Sequence, residues 1–266
     1  MENIRQAIER VKARPELQGP TPAIPRQRAT HFEGEQLKGR TELDVAYLQS
    51  RRIVACDGKD PRSRAFDILR TEVLHSMDQR EWKILAVTSP TPGCGKTLVA
   101  INLALSMGRQ PDRQVLLVDF DLRKPQVAAS LGLRSREGLH DVIAGRVELD
   151  RAVLPVQAGN SSLEVLPTAP SANAADLIDA SGFEGSLRAV AEYARSRIVI
   201  LDLPPMLIGH DVISVLPQVD CVLLVGAAGV STVSDIEECE KHLQTTHLLR
   251  FVLNKVTTVH DNYVYY

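Results

Sequence analysis

Six short aliphatic runs, KILAVT, QVLLVDF, SLEVLP, RIVILDL, CVLLVGA and RFVLN, constrain this chain more than any other feature, because they alternate with segments of helical periodicity. Each has the length of a strand, and most are apolar throughout rather than at every second position. A strand without a polar face must be covered on both sides, as in a parallel sheet held between two layers of helix. KTLVAINLALSM, EGSLRAVAEYA and VSDIEECEKHL supply such helices. The expected fold is α/β, a doubly wound, mostly parallel sheet with flanking helices. Ligands of such sheets bind beyond the carboxyl ends of the strands, so the residues that follow each run are the ones to inspect.

Three of those strand ends carry chemistry. The first run leads through TSPTPGCGKT, Thr88 to Thr97, straight into a helix. Glycines there let backbone N–H groups turn inward around phosphate, Lys96 reaches the β and γ oxygens, and Thr97 offers a hydroxyl to Mg²⁺. The general pattern G-x-x-x-x-G-K-[ST] is not fully met, since Pro90 stands where its first glycine would fall. The second strand ends in LLVDFDLRKP, with Asp119 and Asp121 two residues apart and able to share a face. Two like-sided carboxylates repel each other unless a cation or a proton joins them. RIVILDLPPM places Asp202 at a third strand end, where a phosphate-binding fold holds a carboxylate for Mg²⁺.

Several classes of function are disfavoured. The 31 basic residues against 33 acidic ones leave no footprint for nucleic acid or anionic lipid. Cys56, Cys94, Cys221 and Cys239 are widely spaced with no C-x-x-C pair, which reads as reduced thiols. The longest apolar run, Cys221 to Ala228, is far below the ~20 residues of a membrane span, and MENIRQAIER does not resemble a signal peptide. The expectation is a cytoplasmic protein with no direct membrane insertion.

Residues 2–13 place Ile4, Ile8 and Val11 at helical spacing, and prolines 15, 20, 22 and 25 then interrupt regular structure. A second candidate helix, ELDVAYLQSRR, and the short IVAC segment precede DPRSRAFDILRTEVLHSM, whose Phe66, Leu69, Val73 and Met77 form one apolar stripe. The expected organisation is an N-terminal extension with a proline-containing linker (1–60), a compact domain (61–255) and a C-terminal tail (256–266). The tail is unusual. Of five tyrosines in the chain, Tyr263, Tyr265 and Tyr266 occupy three of its last four positions, where a chain end has no core to fill. Such an end can dock on the body of the protein or extend the sheet; it can also be a substrate.

Residues from about 60 to 255 resemble the bacterial tyrosine kinases of capsular and exopolysaccharide loci, P-loop proteins of the deviant Walker type unrelated to eukaryotic protein kinases. Their phosphate loop, S-x-x-P-G-x-G-K-[ST], is matched from Ser89 to Thr97; three aliphatics then D-x-D-x-R are matched from Leu116 to Arg123; three aliphatics then D-x-P-P are matched from Val199 to Pro205. EGLHDVIAG and LEVLPTAP resemble the family's intervening segments. The resemblance implies ATP and Mg²⁺ as cofactors. It implies a nucleotide cradle of Pro92, Gly93, Cys94, Gly95, Lys96, Thr97 and Leu98, with Asn254 near the adenine. Lys96, Asp119, Asp121 and Arg123 are implied as catalytic, with Asp119 the best candidate to accept a tyrosine proton. Thr97, Asp121 and Asp202 are implied to hold the metal. Tyr263, Tyr265 and Tyr266 are implied as phosphoacceptors for a neighbouring subunit. A separate membrane protein is implied as activator, recruiting the chain to the inner face of the membrane.

A rival within the same fold is the nucleotide-switched ATPase of the division-site and partitioning type. Those proteins carry a signature lysine early in the phosphate loop, where this chain has Thr91. A scaffold that binds nucleotide without transferring phosphate is a third possibility. Two further expectations concern single residues. Cys94, inside the phosphate loop, is either a passive member lending its backbone N–H or a thiol made reactive by the helix N-terminus and Lys96. The family's subunit-joining motif E-x-x-R-x-x-R falls on Arg64, Asp67 and Arg70, with the first two signs reversed. Those positions span an arc of about 120° at 100° per residue, so they form one face, and self-association is expected with altered pairing.

Overall fold

The structure is a computed structural model and describes residues 36–37, 39–169, 181–209, 211–244 and 246–256. The 2–13 helix, its proline linker and the three tail tyrosines lie outside the described residues. Among the described residues nine strands form one sheet: β1 (Gln36–Leu37), β2 (Arg40–Glu42), β3 (Ile84–Thr88), β4 (Val115–Asp119), β5 (Leu154–Ala158), β6 (Ser161–Leu166), β7 (Ile198–Asp202), β8 (Cys221–Ala227) and β9 (His247–Asn254). Their order is β1-β2-β5-β6-β4-β7-β3-β8-β9. β1–β2 and β5–β6 are antiparallel and the other neighbours are parallel, so the expected doubly wound architecture is present.

The parallel strands are buried on both faces because each alternates its side chains between two apolar layers. Leu85 and Val87, Val115 and Leu117, Ile198 and Ile200, and Leu223 and Val225 face one layer. Ile84 and Ala86, Leu116 and Val118, Val199 and Leu201, and Val222 and Leu224 face the other. The first layer is closed by α1 (Val45–Ser50), α2 (Arg64–Gln79) and α3 (Lys96–Gly108), the helix that follows the phosphate loop. The short α4 (Val127–Leu131) packs there too. The second is closed by α5 (Leu139–Ile143), α6 (Leu149–Ala152), α7 (Ser181–Tyr193), α8 (Asp211–Val215) and α9 (Val233–His242).

The compact unit begins earlier than residue 60. β2 pairs in parallel with β5, Thr41 opposite Val156. Leu48 and Ile53 are fully buried, and Leu43, Ala55 and Cys56 belong to the same core. One side chain ties this segment down: Asn102, fully buried in α3, accepts from the N–H groups of Val54 (2.8 Å) and Ala55 (3.1 Å) and donates to the carbonyls of Arg52 and Leu98. A buried amide with its bonds satisfied specifies one docking register, because any slip leaves polar groups unpaired. The segment 40–60 is part of the domain.

Two of the three residues expected on a joining face are engaged within the chain. Asp67 Oδ1 accepts from Ser106 Oγ (2.6 Å) and pairs with Arg109 and, at 3.4 Å, Arg70. Arg70 Nη1 also reaches the Ser106 carbonyl at 3.2 Å. Asp67 and Arg70 therefore bind α2 to the far end of α3, and of the three expected positions only Arg64 is exposed.

Candidate active site

Sequence runs out of β3 into a loop whose backbone is set by two glycines in the left-handed region, Gly93 at φ 80° and Gly95 at φ 92°. Gly95 is the residue at which α3 begins, and its carbonyl takes the first helical bond, from Val99 N at 3.0 Å. The segment after β7 straps the loop: Met206 N donates to Ser89 O (2.8 Å), Leu207 N to Pro90 O (3.1 Å), and Thr88 Oγ1 to Pro204 O (2.7 Å). The D-x-P-P motif thus does two jobs, presenting Asp202 and fixing the neighbouring phosphate loop.

At the loop's exit the expected charged residues converge. Lys96 Nζ lies 2.9 Å from Asp121 Oδ2, 3.5 Å from Asp202 Oδ1 and 3.3 Å from Thr97 Oγ1. Thr97 Oγ1 donates to Asp202 Oδ2 at 2.6 Å. β4 and β7 are adjacent, with Asp119 opposite Asp202, which is why motifs 83 residues apart meet. Asp119 and Asp202 are fully buried, and Asp121 is nearly so.

Burial, then the nearby Asp202 charge, raises the pKa of Asp119; burial likewise raises that of Asp202 against the pull of Lys96. Burial works against the charge on Lys96, yet Asp202 and Asp121 outweigh it and hold its pKa above the usual lysine value. Three carboxylates share one ammonium. An excess of buried negative charge beside the Thr97 hydroxyl, which Asp202 already holds in place, is a donor set that a hard divalent cation would complete, and Thr97, Asp121 and Asp202 fit Mg²⁺ on that ground.

The two aspartates after β4 differ in environment. Asp119 accepts from the backbone N–H groups of Val127 (2.9 Å), Gln126 (3.0 Å) and Asp121 (3.3 Å), so it shapes the turn that carries its neighbours. Asp121 faces Lys96, and Arg123 is exposed two residues on. Leu98 packs partly against the core. Asn254 ends β9 against the phosphate loop itself, its Nδ2 donating to Cys94 O at 2.9 Å.

The Cys94 thiol is fully buried, 3.4 Å from Ser231 Oγ and 3.7 Å from Thr91 Oγ1, so the side chain points into the body of the protein, an orientation that favours the passive alternative over the reactive one. All four cysteines are free and buried. Sequence reasoning missed Ser231 and Asn102. Ser231, which accepts from Ala227 N and meets Cys94, carries no local signal; Asn102 does, as a polar residue inside an otherwise apolar helix.

Comparison with known proteins agrees with this geometry. The family model CobQ/CobB/MinD/ParA nucleotide binding domain matches residues 85–264. The tyrosine-protein kinase wzc of Salmonella typhimurium is 31% identical over 191 residues, which are 72% of this chain but 26% of that protein, so the chain spans about a quarter of that relative. The tyrosine-protein kinase YwqD of Bacillus subtilis is 31% identical over 225 residues, covering 82% of this chain and 92% of that one. Among solved structures, the kinase domain of the Escherichia coli tyrosine kinase ETK superposes with a TM-score of 0.67 at 27% identity, covering 80% of this chain and 84% of that one. By the family model over residues 85–264 and the 31% identity that spans 82% of it and 92% of YwqD, the chain belongs to the bacterial tyrosine kinases built on the CobQ/CobB/MinD/ParA nucleotide-binding domain.

Proposed function

We propose that this chain is an ATP-dependent protein-tyrosine kinase that phosphorylates its own C-terminal cluster, Tyr263, Tyr265 and Tyr266, between subunits, and so regulates exopolysaccharide or capsule synthesis or export. The observation that carries this proposal is the convergence of Lys96, Thr97, Asp119, Asp121 and Asp202 at one strand-end loop. Mg²⁺-ATP, when bound, supplies the phosphoryl group and neutralises its charge. Lys96, now paired with Asp121 and Asp202, would contact the β and γ oxygens, and the loop amides would hold the phosphates. Thr97, Asp121 and Asp202 would hold the metal. The tyrosine hydroxyl forms the new O–P bond as the bond to the ADP oxygen breaks, and its proton passes to Asp119, whose burial raises its proton affinity.

From Lys255 to Tyr266 the extended chain reaches roughly 36 to 40 Å, enough to enter a neighbour's site. Arg64, the exposed member of the expected joining face, remains available for self-association. We place the activator on a separate membrane protein that recruits the chain from the cytoplasm, as the family resemblance implies; among the described residues no helix is long and apolar enough to cross a membrane. The nucleotide-switched ATPase is disfavoured by Thr91, which stands where that group's signature lysine would be and turns its hydroxyl to Cys94.

The test is mass spectrometry after incubation with Mg²⁺ and ATP. Phosphate is expected on the tail of the wild type and absent from a folded Lys96→Met variant. An unlabelled wild type, assayed alone and with its activator, would refute tyrosine transfer. An active subunit lacking the tail tyrosines should label a Lys96→Met subunit, and failure to do so would place transfer within one chain.

A further inference from the structure

The last strand ends in contact with the phosphate loop, and the contact involves both ends of one side chain. Asn254 Nδ2 donates to Cys94 O at 2.9 Å, while Asn254 Oδ1 accepts from Lys255 N at 2.8 Å. Lys255 adopts a left-handed conformation, φ 59°, that a lysine holds only when its surroundings compensate. The Asn254 backbone is itself fixed, since its carbonyl accepts from Ala228 N at 2.9 Å. Close approach is built in: a Cβ on Gly95 would lie 2.3 Å from Asn254 Nδ2, so only glycine admits the amide at this point.

In a planar trans peptide the C=O and N–H point in opposite directions. Asn254 draws the Cys94 carbonyl to its own side, and that aims the Gly95 N–H of the same peptide to the other side of the loop. The Cys94 side chain is held independently, by Ser231. The Cys94–Gly95 peptide plane, one of those that must face phosphate in a loop of this type, is thereby oriented before any ligand arrives.

We propose that Asn254 is a positioning residue that latches the phosphate loop to the root of the C-terminal tail, so that nucleotide occupancy and the setting of the tail are coupled. Coupling between two sites is reciprocal. Whatever nucleotide does to tighten the Cys94–Gly95 peptide must tighten the Asn254 bridge and the Lys255 turn, and loss of the bridge must weaken nucleotide binding. The inference rests on the nucleotide-binding part of the proposed function and extends it from the tail as a substrate to the tail as a reporter of the loop.

Lys255 is itself a trypsin site, so cleavage at Lys255–Val256 reads the latch directly. Timed proteolysis and ADP calorimetry, both with Mg²⁺, would be run on the wild type and on Asn254→Asp, which keeps an acceptor for Lys255 N–H and loses the donor to Cys94. In the wild type, ADP is expected to slow cleavage at Lys255 several-fold. In Asn254→Asp the Kd for ADP is expected to rise at least tenfold, through the lost hydrogen bond and the added negative charge, and the nucleotide effect on cleavage to disappear while the protein remains folded at the assay temperature. Equal cleavage of the wild type with and without ADP would overturn the latch without reference to any variant. So would an Asn254→Asp protein that binds ADP as tightly as the wild type. Failure of the wild type to bind ADP at all would overturn both the latch and the nucleotide site, whereas ADP binding without tail labelling by ATP would remove only tyrosine transfer.

Discussion

Replacing Lys96 with Met should do more than abolish phosphate contact: it should leave Asp119, Asp121 and Asp202 enclosed together with no cation. Among the described residues Lys96 is the one ammonium within reach of Asp121 (2.9 Å) and Asp202 (3.5 Å), and its side chain is only 11% exposed. Removing one partner of a buried pair costs about 3 to 5 kcal/mol. At 2 to 4 °C per kcal/mol for a domain of this size, that is a fall of about 6 to 20 °C in the nucleotide-free melting temperature. The pH dependence follows from the carboxylates. Asp119 and Asp202 have folded pKa values above those of the unfolded chain, so their contribution to stability is most favourable below about pH 3.9, the unfolded aspartate value, and is lost as pH rises through the folded values. Without Lys96 those values rise further. The gap in stability between wild type and Lys96→Met should therefore be small near pH 4.5, where the aspartates take up protons in place of the lysine, and should widen toward pH 8. The assay is thermal unfolding followed by circular dichroism at several pH values in chelator. Equal melting temperatures at pH 8, or a gap that widens toward acid, would refute the charge balance described here.

Other perturbations separate the remaining roles. Asp121→Asn relieves one of three like charges, so its nucleotide-free melting temperature should equal or exceed that of the wild type, while stabilisation by Mg²⁺-ADP should be lost; a lower melting temperature would show that Asp121 is needed for folding. Asn102→Ala removes the acceptor for Val54 and Ala55 and should cost at least about 2 kcal/mol, with trypsin then cutting first after Arg51 and Arg52; cleavage unchanged from the wild type would mean the segment is held by its apolar contacts alone. Cys94 should resist alkylation in the native protein with or without nucleotide and react only on unfolding, and rapid native labelling would contradict its burial. Light scattering of tail-unphosphorylated protein should show an oligomer that Arg64→Glu shifts to smaller mass; an unchanged oligomer would place the joint elsewhere on the surface.

The sequence alone determined six of the nine strands described, β3, β4, β6, β7, β8 and β9, and the composition of the site, because both are written in local signals, whereas β1, β2 and β5 were not read from it. An aliphatic run long enough for a strand and lacking a polar face must be sandwiched, and the residue that ends it must emerge at the sheet's edge, so GCGKT, DFD and DLPP could be assigned to one rim before their contacts were known. Three kinds of fact were not local. The four residues IVAC are too few to show a period, and their place in the core depends on Asn102, some fifty positions later in the chain. Helical arithmetic put Arg64, Asp67 and Arg70 on one face but could not say how that face is used; Ser106 and Arg109 decided it by drawing Asp67 and Arg70 against α3. From sequence Cys94 could be either passive or reactive, and only the packing of Ser231 beneath the loop showed the thiol turned inward. Likewise Asn254 lies 160 residues from Cys94, and their bond exists because parallel pairing of β8 with β9 brings the end of the last strand to the phosphate loop. A side chain's direction is set by which neighbour can satisfy or exclude it, and in a parallel sheet wound from distant segments those neighbours are supplied by topology rather than by adjacent sequence.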